Sequence, residues 1–364
     1  MTRLDRLRAA FATHNIDALL VSQPESRYYL SGYTGHDLPP RDSAGFLLIT
    51  KDQTLLLTDP RTTEQAQQEA KDFELVTYPA GSRAPQAIAE TANKLGTRRL
   101  GFESIHLPYG IWDDIRVGLS GPELTPVNKI VDQLRIIKDA DELAHLQEAV
   151  DVLDRCLAHV LGNLNPGQTE RQVARQVELY LLEHADGTSF PSIVASGPNA
   201  SVPHAVPSDR RIQAGEVIKI DIGARSGFYC SDMTRTVCIG QPKDPKLAEL
   251  HALVLEAQEQ AERCLRPGMT GREGDALSRD VIARAGYGES FTHSLGHGIG
   301  LEVHEPPWLS QLRGDEPLQP GMVFSVEPGV YLPGWGGVRI EDLVVLEDNG
   351  ARVLCHSPKT LILD

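Results

Sequence analysis

No stretch of the 364-residue sequence approaches the roughly 20 consecutive apolar residues that a membrane-spanning helix needs, which excludes an ordinary helical span. The N-terminus, MTRLDRLRAAFATHNIDALLV, lacks the apolar segment and small-residue cleavage site of a secretory signal, so a cytoplasmic location is expected. Basic charge is in deficit. Against 50 acidic residues stand 35 lysines and arginines, for a net charge of −15. Phosphate binding needs a basic face, so nucleic acid is excluded as a partner. Cysteine is sparse and unpaired in pattern: Cys156, Cys230, Cys238, Cys264 and Cys355 are odd in number and form no CxxC motif. They read as reduced thiols, and no neighbouring base in the sequence marks any of them as a nucleophile.

What is present is an ordinary globular composition, 41% apolar and 23% charged, in a chain long enough for two domains. Residues 1–130 alternate short apolar runs (Ala18–Val21, Gly45–Ile49, Thr54–Leu57, Phe73–Thr77, Leu100–Phe102) with helical stretches such as Arg61–Lys71 and Ala84–Leu95. That alternation predicts a layered α/β domain without chemistry of its own. The cluster Tyr28, Tyr29 and Tyr33 reads as core or interface. A second domain, residues 131–364, opens on a long helix. Asp139-Ala-Asp-Glu142 supplies its acidic start, and Leu143, Leu146, Val150 and Leu153 its apolar stripe.

The second domain contains a repeat. Asn165-Pro-Gly-Gln-Thr-Glu170 is echoed by Arg266-Pro-Gly-Met-Thr270 at an offset of 101 residues, and Ile212–Gly223 is echoed by Leu318–Gly329 at an offset of 106. Two copies of one helix-then-strand plan imply an internal pseudo-twofold axis. Each copy places a carboxylate in an apolar strand, Asp221 and Glu327. Each has a second carboxylate downstream, Asp232 after eleven residues and Glu341 after fourteen, and a histidine upstream, His204 and His304. A lone carboxylate in such a strand would carry a large desolvation cost, and four together would repel one another. Divalent cations remove both difficulties. Four carboxylates and an imidazole suit two ions such as Mn²⁺, Co²⁺, Fe²⁺ or Zn²⁺, which can activate a water and polarise a carbonyl. The run Thr292-His-Ser-Leu-Gly-His-Gly-Ile-Gly300 supplies histidines among glycines that permit close backbone approach. It is neither a dinucleotide fingerprint nor an HExxH helix, because its glycines disfavour helix and the glutamate is missing.

With these residues in view, the segment from about 135 to 364 resembles the pita-bread metallopeptidases: methionine aminopeptidase, aminopeptidase P and prolidase. The matching segments are Asp221-Ile-Gly with Asp232, Gly296-His-Gly-Ile-Gly300, Val303-His-Glu305, Val326-Glu-Pro-Gly329 and Gly337-Val-Arg-Ile-Glu-Asp342. The N-terminal part, including Tyr28-Tyr-Leu-Ser-Gly-Tyr33, resembles the extra domain of aminopeptidase P, prolidase and creatinase. The resemblance implies an α/β creatinase-like domain followed by an α+β pseudo-twofold catalytic domain. It implies Asp221, Asp232, His297, Glu327 and Glu341 as ligands of two divalent ions, Mn²⁺ foremost with Co²⁺ or Zn²⁺ as alternatives. Glu327 would also be the general base. His204, His293 and His304 would orient substrate and stabilise the tetrahedral intermediate, and Arg339 would shape the substrate pocket. Creatinase and non-catalytic binding relatives lack the ligands that are complete here. Methionine aminopeptidase lacks the N-terminal domain. An Xaa-Pro peptidase remains, acting on proline-containing peptides, with no membrane or nucleic-acid partner, as a homodimer or higher homo-oligomer. A dipeptidase needs a cation for the substrate's free carboxylate. Where many small prolidases carry arginine after Val-His-Glu, this chain has Trp308, with Arg313 nearby. The expectation is therefore aminopeptidase P, with prolidase as the alternative.

Overall fold

The computed structural model describes residues 1–37, 43–79 and 83–363. The chain divides into two compact units, Met1–Arg135 and Ile136–Asp364, where the sequence suggested a break at 130.

The first unit runs α1 (Arg3–Ala10), β1 (Ala18–Val21), α2 (Pro24–Ser31), β2 (Phe46–Thr50), β3 (Thr54–Thr58), α3 (Thr63–Glu69), β4 (Glu74–Thr77), α4 (Ala84–Leu95), β5 (Arg99–Glu103), α5 (Tyr109–Gly118), β6 (Glu123–Val127) and α6 (Asp132–Arg135). Its mixed six-stranded sheet has the order β4-β3-β2-β1-β5-β6. Central strand β1 reads Ala-Leu-Leu-Val without alternation because all four residues are buried. The tyrosine cluster is largely core. Tyr29 and Tyr33 are buried, and the Tyr29 hydroxyl donates to the Leu134 carbonyl at 2.9 Å. Helix α3 is shorter than the Arg61–Lys71 stretch read from the sequence. Asp59 accepts from both the backbone and the guanidinium of Arg61, and these bonds hold Arg61 in the turn before the helix.

The second unit continues with α7 (Ala140–Gly162), α8 (Glu170–His184), β7 (Gly187–Thr188), β8 (Ile193–Ser196), β9 (Ile218–Ile222), β10 (Ala224–Ser226), β11 (Tyr229–Cys230) and β12 (Met233–Ile239). It then runs α9 (Lys246–Cys264), α10 (Gly271–Arg284), β13 (Gly296–Gly298), β14 (Glu305–Leu309), β15 (Val323–Val326), β16 (Gly329–Leu332), β17 (Gly336–Arg339), β18 (Asp342–Glu347), β19 (Gly350–Val353) and β20 (Ile362–Leu363). Helix α7 begins at a capping box between Asp139 and Glu142 and buries Leu146, Val150 and Leu153 of the expected stripe, with Leu143 half-buried.

The duplication is visible bond by bond. Thr169 caps α8 and Thr270 caps α10, each in a capping box with the residue three positions on. Gly167 donates to the Ile212 carbonyl and Gly268 to the Leu318 carbonyl, both at 2.8 Å. Both glycines sit at left-handed backbone angles, φ +92° and +88°, so the two Pro-Gly pairs mark turns that other residues adopt only with strain. One half-sheet has the order β20-β12-β9-β8, the other β14-β13-β15-β18-β19. They meet where the Glu341 amide donates to the Thr234 carbonyl at 3.1 Å. Apolar residues of α9, among them Leu250, Val254, Ala257 and Ala261, form one core with Phe324, Val326, Val344 and Leu346.

Candidate metal centre

Four strands deliver the acidic residues. Asp221 lies within β9 and Glu327 directly follows β15. Asp232 directly precedes β12, and Glu341 precedes β18. All four strand segments are buried, so the carboxylates arrive in a space from which water is largely removed: Asp221 and Asp232 are 5% exposed and Glu341 1%. His297 enters from β13, which is squeezed between β14 and β15. A Cβ on Gly296 would collide with the Ser325 carbonyl, and one on Gly298 with the Pro306 carbonyl. Those two glycines let the imidazole sit against the acidic strands.

The resulting cluster is compact. Asp232, His297 and Glu341 offer ligand atoms that all lie within 4.8 Å of one another. His297 Nε2 is 3.7 Å from Asp232 Oδ2 and 3.4 Å from Glu327 Oε1. Its Nδ1 lies 3.1 Å from the Gly298 carbonyl. A carbonyl accepts only, so Nδ1 carries the proton and Nε2 turns its lone pair toward the carboxylates. The remaining carboxylate bonds fix orientation. Thr234 Oγ1 donates to Glu341 Oε2 at 2.7 Å, Ser325 Oγ donates to Glu327 Oε1 at 3.3 Å, and Arg339 pairs with Asp221.

A divalent cation fits this donor set. Asp221 Oδ1, Asp232 Oδ1 and Glu341 Oε1 are buried without a hydrogen-bond partner, which proteins rarely tolerate. Burial, reinforced by Glu341, Asp221 and Glu327, pushes the Asp232 carboxyl well above its usual range, and burial with Glu327 and Asp221 does the same to Glu341. Burial pushes Glu327 to about 7 against the opposing pull of Arg339. His297 falls to about 3 through burial and the neighbouring His304, so its imidazole is neutral. Neutral imidazole beside crowded, proton-hungry carboxylates is the chemistry of a cation site.

The other predicted residues surround this cluster. His304 and His204 are exposed, and the His304 ring centroid is 4.2 Å from that of His297. Burial and His204 lower His304, which keeps it neutral near pH 7. His293 is tied into the surrounding structure. Its Nδ1 lies 2.8 Å from the Ser294 carbonyl and its Nε2 2.9 Å from the Tyr331 hydroxyl, so both ring nitrogens are engaged. Arg339 is a buried hub. It reaches Asp221, Thr234 Oγ1 at 3.0 Å and Tyr331 at 2.8 Å.

Sequence reasoning missed Thr234, Ser325, Tyr331 and Lys219. A signal existed for three of them. Side chains two apart on a strand share a face. Every strand ligand has a polar residue at that spacing: Lys219 with Asp221, Thr234 with Asp232, Ser325 with Glu327, and Arg339 with Glu341. Lys219 is fully buried, and burial with the nearby Arg339 pulls its ammonium down to about 6.

Comparison with known proteins agrees with this geometry. Residues 144–348 match metallopeptidase family M24, and residues 3–137 match the creatinase/prolidase N-terminal domain. The chain belongs to metallopeptidase family M24. As a member of that family it is a metal-dependent peptidase, with the two-domain architecture expected from its sequence. An Xaa-Pro dipeptidase of Pyrococcus horikoshii is 36% identical over 350 residues, covering 96% of this chain and 95% of that one. The structure of an Xaa-Pro dipeptidase from Bacillus anthracis matches with a TM-score of 0.93 at 40% identity over 99% of both chains. An X-Pro aminopeptidase from Thermotoga maritima matches with a TM-score of 0.89 at 36% identity over 100% of both. No helix among the described residues is long and apolar enough to cross a membrane.

Proposed function

We propose that the protein is an Xaa-Pro dipeptidase, a prolidase, that hydrolyses the bond before proline in free dipeptides. This reverses the order of the two readings drawn from the sequence. The observation that carries it is Arg313. Its guanidinium carbon lies 4.1 Å from the centroid of Trp308, and Trp308 stands directly across the strand pair from His297. Among the described residues Arg313 has no carboxylate partner. A cation stacked on an aromatic face beside the cluster is placed to receive the free carboxylate of a short substrate. The dipeptidases of Pyrococcus horikoshii and Bacillus anthracis support this reading. The aminopeptidase reading rests on Trp308, which cannot pair with a carboxylate, and on the Thermotoga maritima relative.

Asp221, Asp232, His297, Glu327 and Glu341 would hold two divalent ions, with Mn²⁺ preferred because carboxylates dominate the set. Bound there, the ions supply a nucleophile at neutral pH and polarise the scissile carbonyl. Glu327 takes the proton of the attacking water and returns it to the proline nitrogen that leaves. His304, neutral and exposed beside His297, donates to the oxyanion as it forms. His204 orients the substrate from the opposite copy of the repeat, and His293 holds Tyr331 and through it Arg339.

The test compares kcat/KM for an Xaa-Pro dipeptide and the corresponding Xaa-Pro-Yaa tripeptide on enzyme reconstituted with Mn²⁺. The dipeptide is expected to be favoured. Arg313→Gln should lower dipeptide kcat/KM by about 10- to 100-fold, mostly through KM, since a charge-assisted hydrogen bond contributes about 1.5–3 kcal/mol. Efficient tripeptide cleavage with slow dipeptide turnover would reverse the assignment, and Trp308→Arg should then move the ratio toward dipeptides.

A further inference from the structure

The segment carrying His204 hangs between two anchors. At its base the buried Glu170 carboxylate accepts from Ser196, Asn199 and Ser208. Nearer its tip, Lys219 reaches out of β9. Lys219 Nζ donates to the Val202 carbonyl at 2.7 Å and the Pro203 carbonyl at 2.9 Å, the two carbonyls immediately before His204. The same amine lies 5.1 Å from the centroid of Tyr331, whose hydroxyl binds His293 and Arg339, and Arg339 itself donates to the Pro203 carbonyl at 3.3 Å. Val202, His204 and Val206 are exposed, so packing alone does not hold this tip.

We propose that Lys219 is a positioning residue: it fixes the Val202–Pro203 backbone and thereby aims the His204 imidazole at the substrate. A buried amine needs acceptors. Lys219 finds them in this backbone, while Asp221 and Glu327 pair with Arg339. The second copy of the repeat has nothing comparable. There Ser325 stands at the position of Lys219, and its hydroxyl receives the His297 amide at 3.1 Å and donates to Glu327. At this matched position the first copy thus serves the His204 loop, while the second copy serves the metal cluster.

The inference rests on the peptidase reading of the site, and its test separates the two. Lys219→Met removes both donors and leaves an apolar chain of similar length. We expect kcat/KM to fall about tenfold, chiefly through KM, with bound Mn²⁺ per chain unchanged. In the metal-free protein, hydrogen–deuterium exchange at residues 202–206 should rise. The double variant Lys219→Met with His204→Ala should be no worse than His204→Ala alone, because Lys219 acts through His204. Additive losses, unchanged exchange at 202–206, or loss of Mn²⁺ would each overturn the proposal. If Lys219→Met yields only aggregate, Lys219→Gln, which keeps one shorter donor, is carried through the same cycle. The kinetic cycle is run on whichever peptide length the wild type prefers, and the exchange measurement needs no turnover. A wrong substrate assignment therefore leaves the test of Lys219 intact.

Discussion

The two copies within the catalytic unit follow one backbone plan and carry different side chains at its matching positions. Asp221 corresponds to Glu327, Asp232 to Glu341, and Lys219 to Ser325. Across the neighbouring strand, Ala195 stands opposite Lys219, whereas His297 donates its amide to Ser325. Duplication alone would give a symmetric ring of carboxylates able to hold cations but with no preferred direction of attack. The imidazole, the longer acid and the small hydroxyl are confined to the second copy. The paired acids are what the copies retain in common, and the imidazole of His297 is where they diverge.

That contrast is most severely tested by paired substitutions of the matching acids. Glu327→Gln keeps the shape of the side chain but removes a charged donor and the proposed base. Its kcat should fall by three orders of magnitude or more, with the fold intact by circular dichroism. Asp221→Asn should act mainly through Mn²⁺ affinity, so that saturating Mn²⁺ recovers part of its activity and none of that lost in Glu327→Gln. Equal, metal-rescuable losses in both would mean that the copies are functionally equivalent and that Glu327 is a ligand only.

A smaller effect sharpens the division around the histidines. His304→Ala should lower kcat/KM by roughly 10²–10³, the range of an oxyanion donor, while Mn²⁺ content measured by elemental analysis stays at the wild-type level. A large loss of metal would place His304 with His297 among the ligands.

The smallest expected effect concerns pH and stability. Burial raises the Glu327 pKa from its ordinary 4.5 to about 7, so the metal-free folded state holds that proton more tightly than the unfolded chain does. The stability linked to it is complete below about pH 4.5 and is lost as pH rises through about 7, an effect on the order of 3 kcal/mol. Asp232 and Glu341, one from each copy, are raised by burial and by neighbouring carboxylates and act in the same direction. The Tm of metal-free protein should therefore fall between pH 5 and pH 8, and Mn²⁺ should raise Tm more at pH 8 than at pH 5. A metal-induced rise that is larger at pH 5 would contradict the crowded-carboxylate account.

How legible each part was in the sequence follows from how much energy its misplacement costs. Acids in apolar strands are so unfavourable that Asp221 and Glu327 stand out in the letters alone, and the Pro-Gly turns at Gly167 and Gly268 reveal the repeat because few residues adopt their backbone angles. Thr234, Ser325 and Tyr331 were hard to read because hydroxyls serve many bland roles on strands, even where, as for Thr234 and Ser325, the two-residue spacing from an acid was a signal. Their meaning depends on which face of the strand looks into the site. The hydrogen bonds that link His293 and Arg339 were illegible for a related reason. Linear spacing does not show that Tyr331 lies between them.

By itself, the sequence determined the two-domain plan and the duplication, and it brought the acids of the candidate metal centre to notice. Strand periodicity, turn chemistry and the cost of burying charge act locally and leave a trace in the order of residues. Only the tertiary structure decided that Arg313, five residues beyond Trp308, stacks on its ring, and that Lys219 turns toward the His204 segment rather than toward Asp221. Those choices are made by long, flexible cations seeking acceptors or aromatic faces across several ångströms, and the partners they find are brought within reach only when the strands and loops have packed.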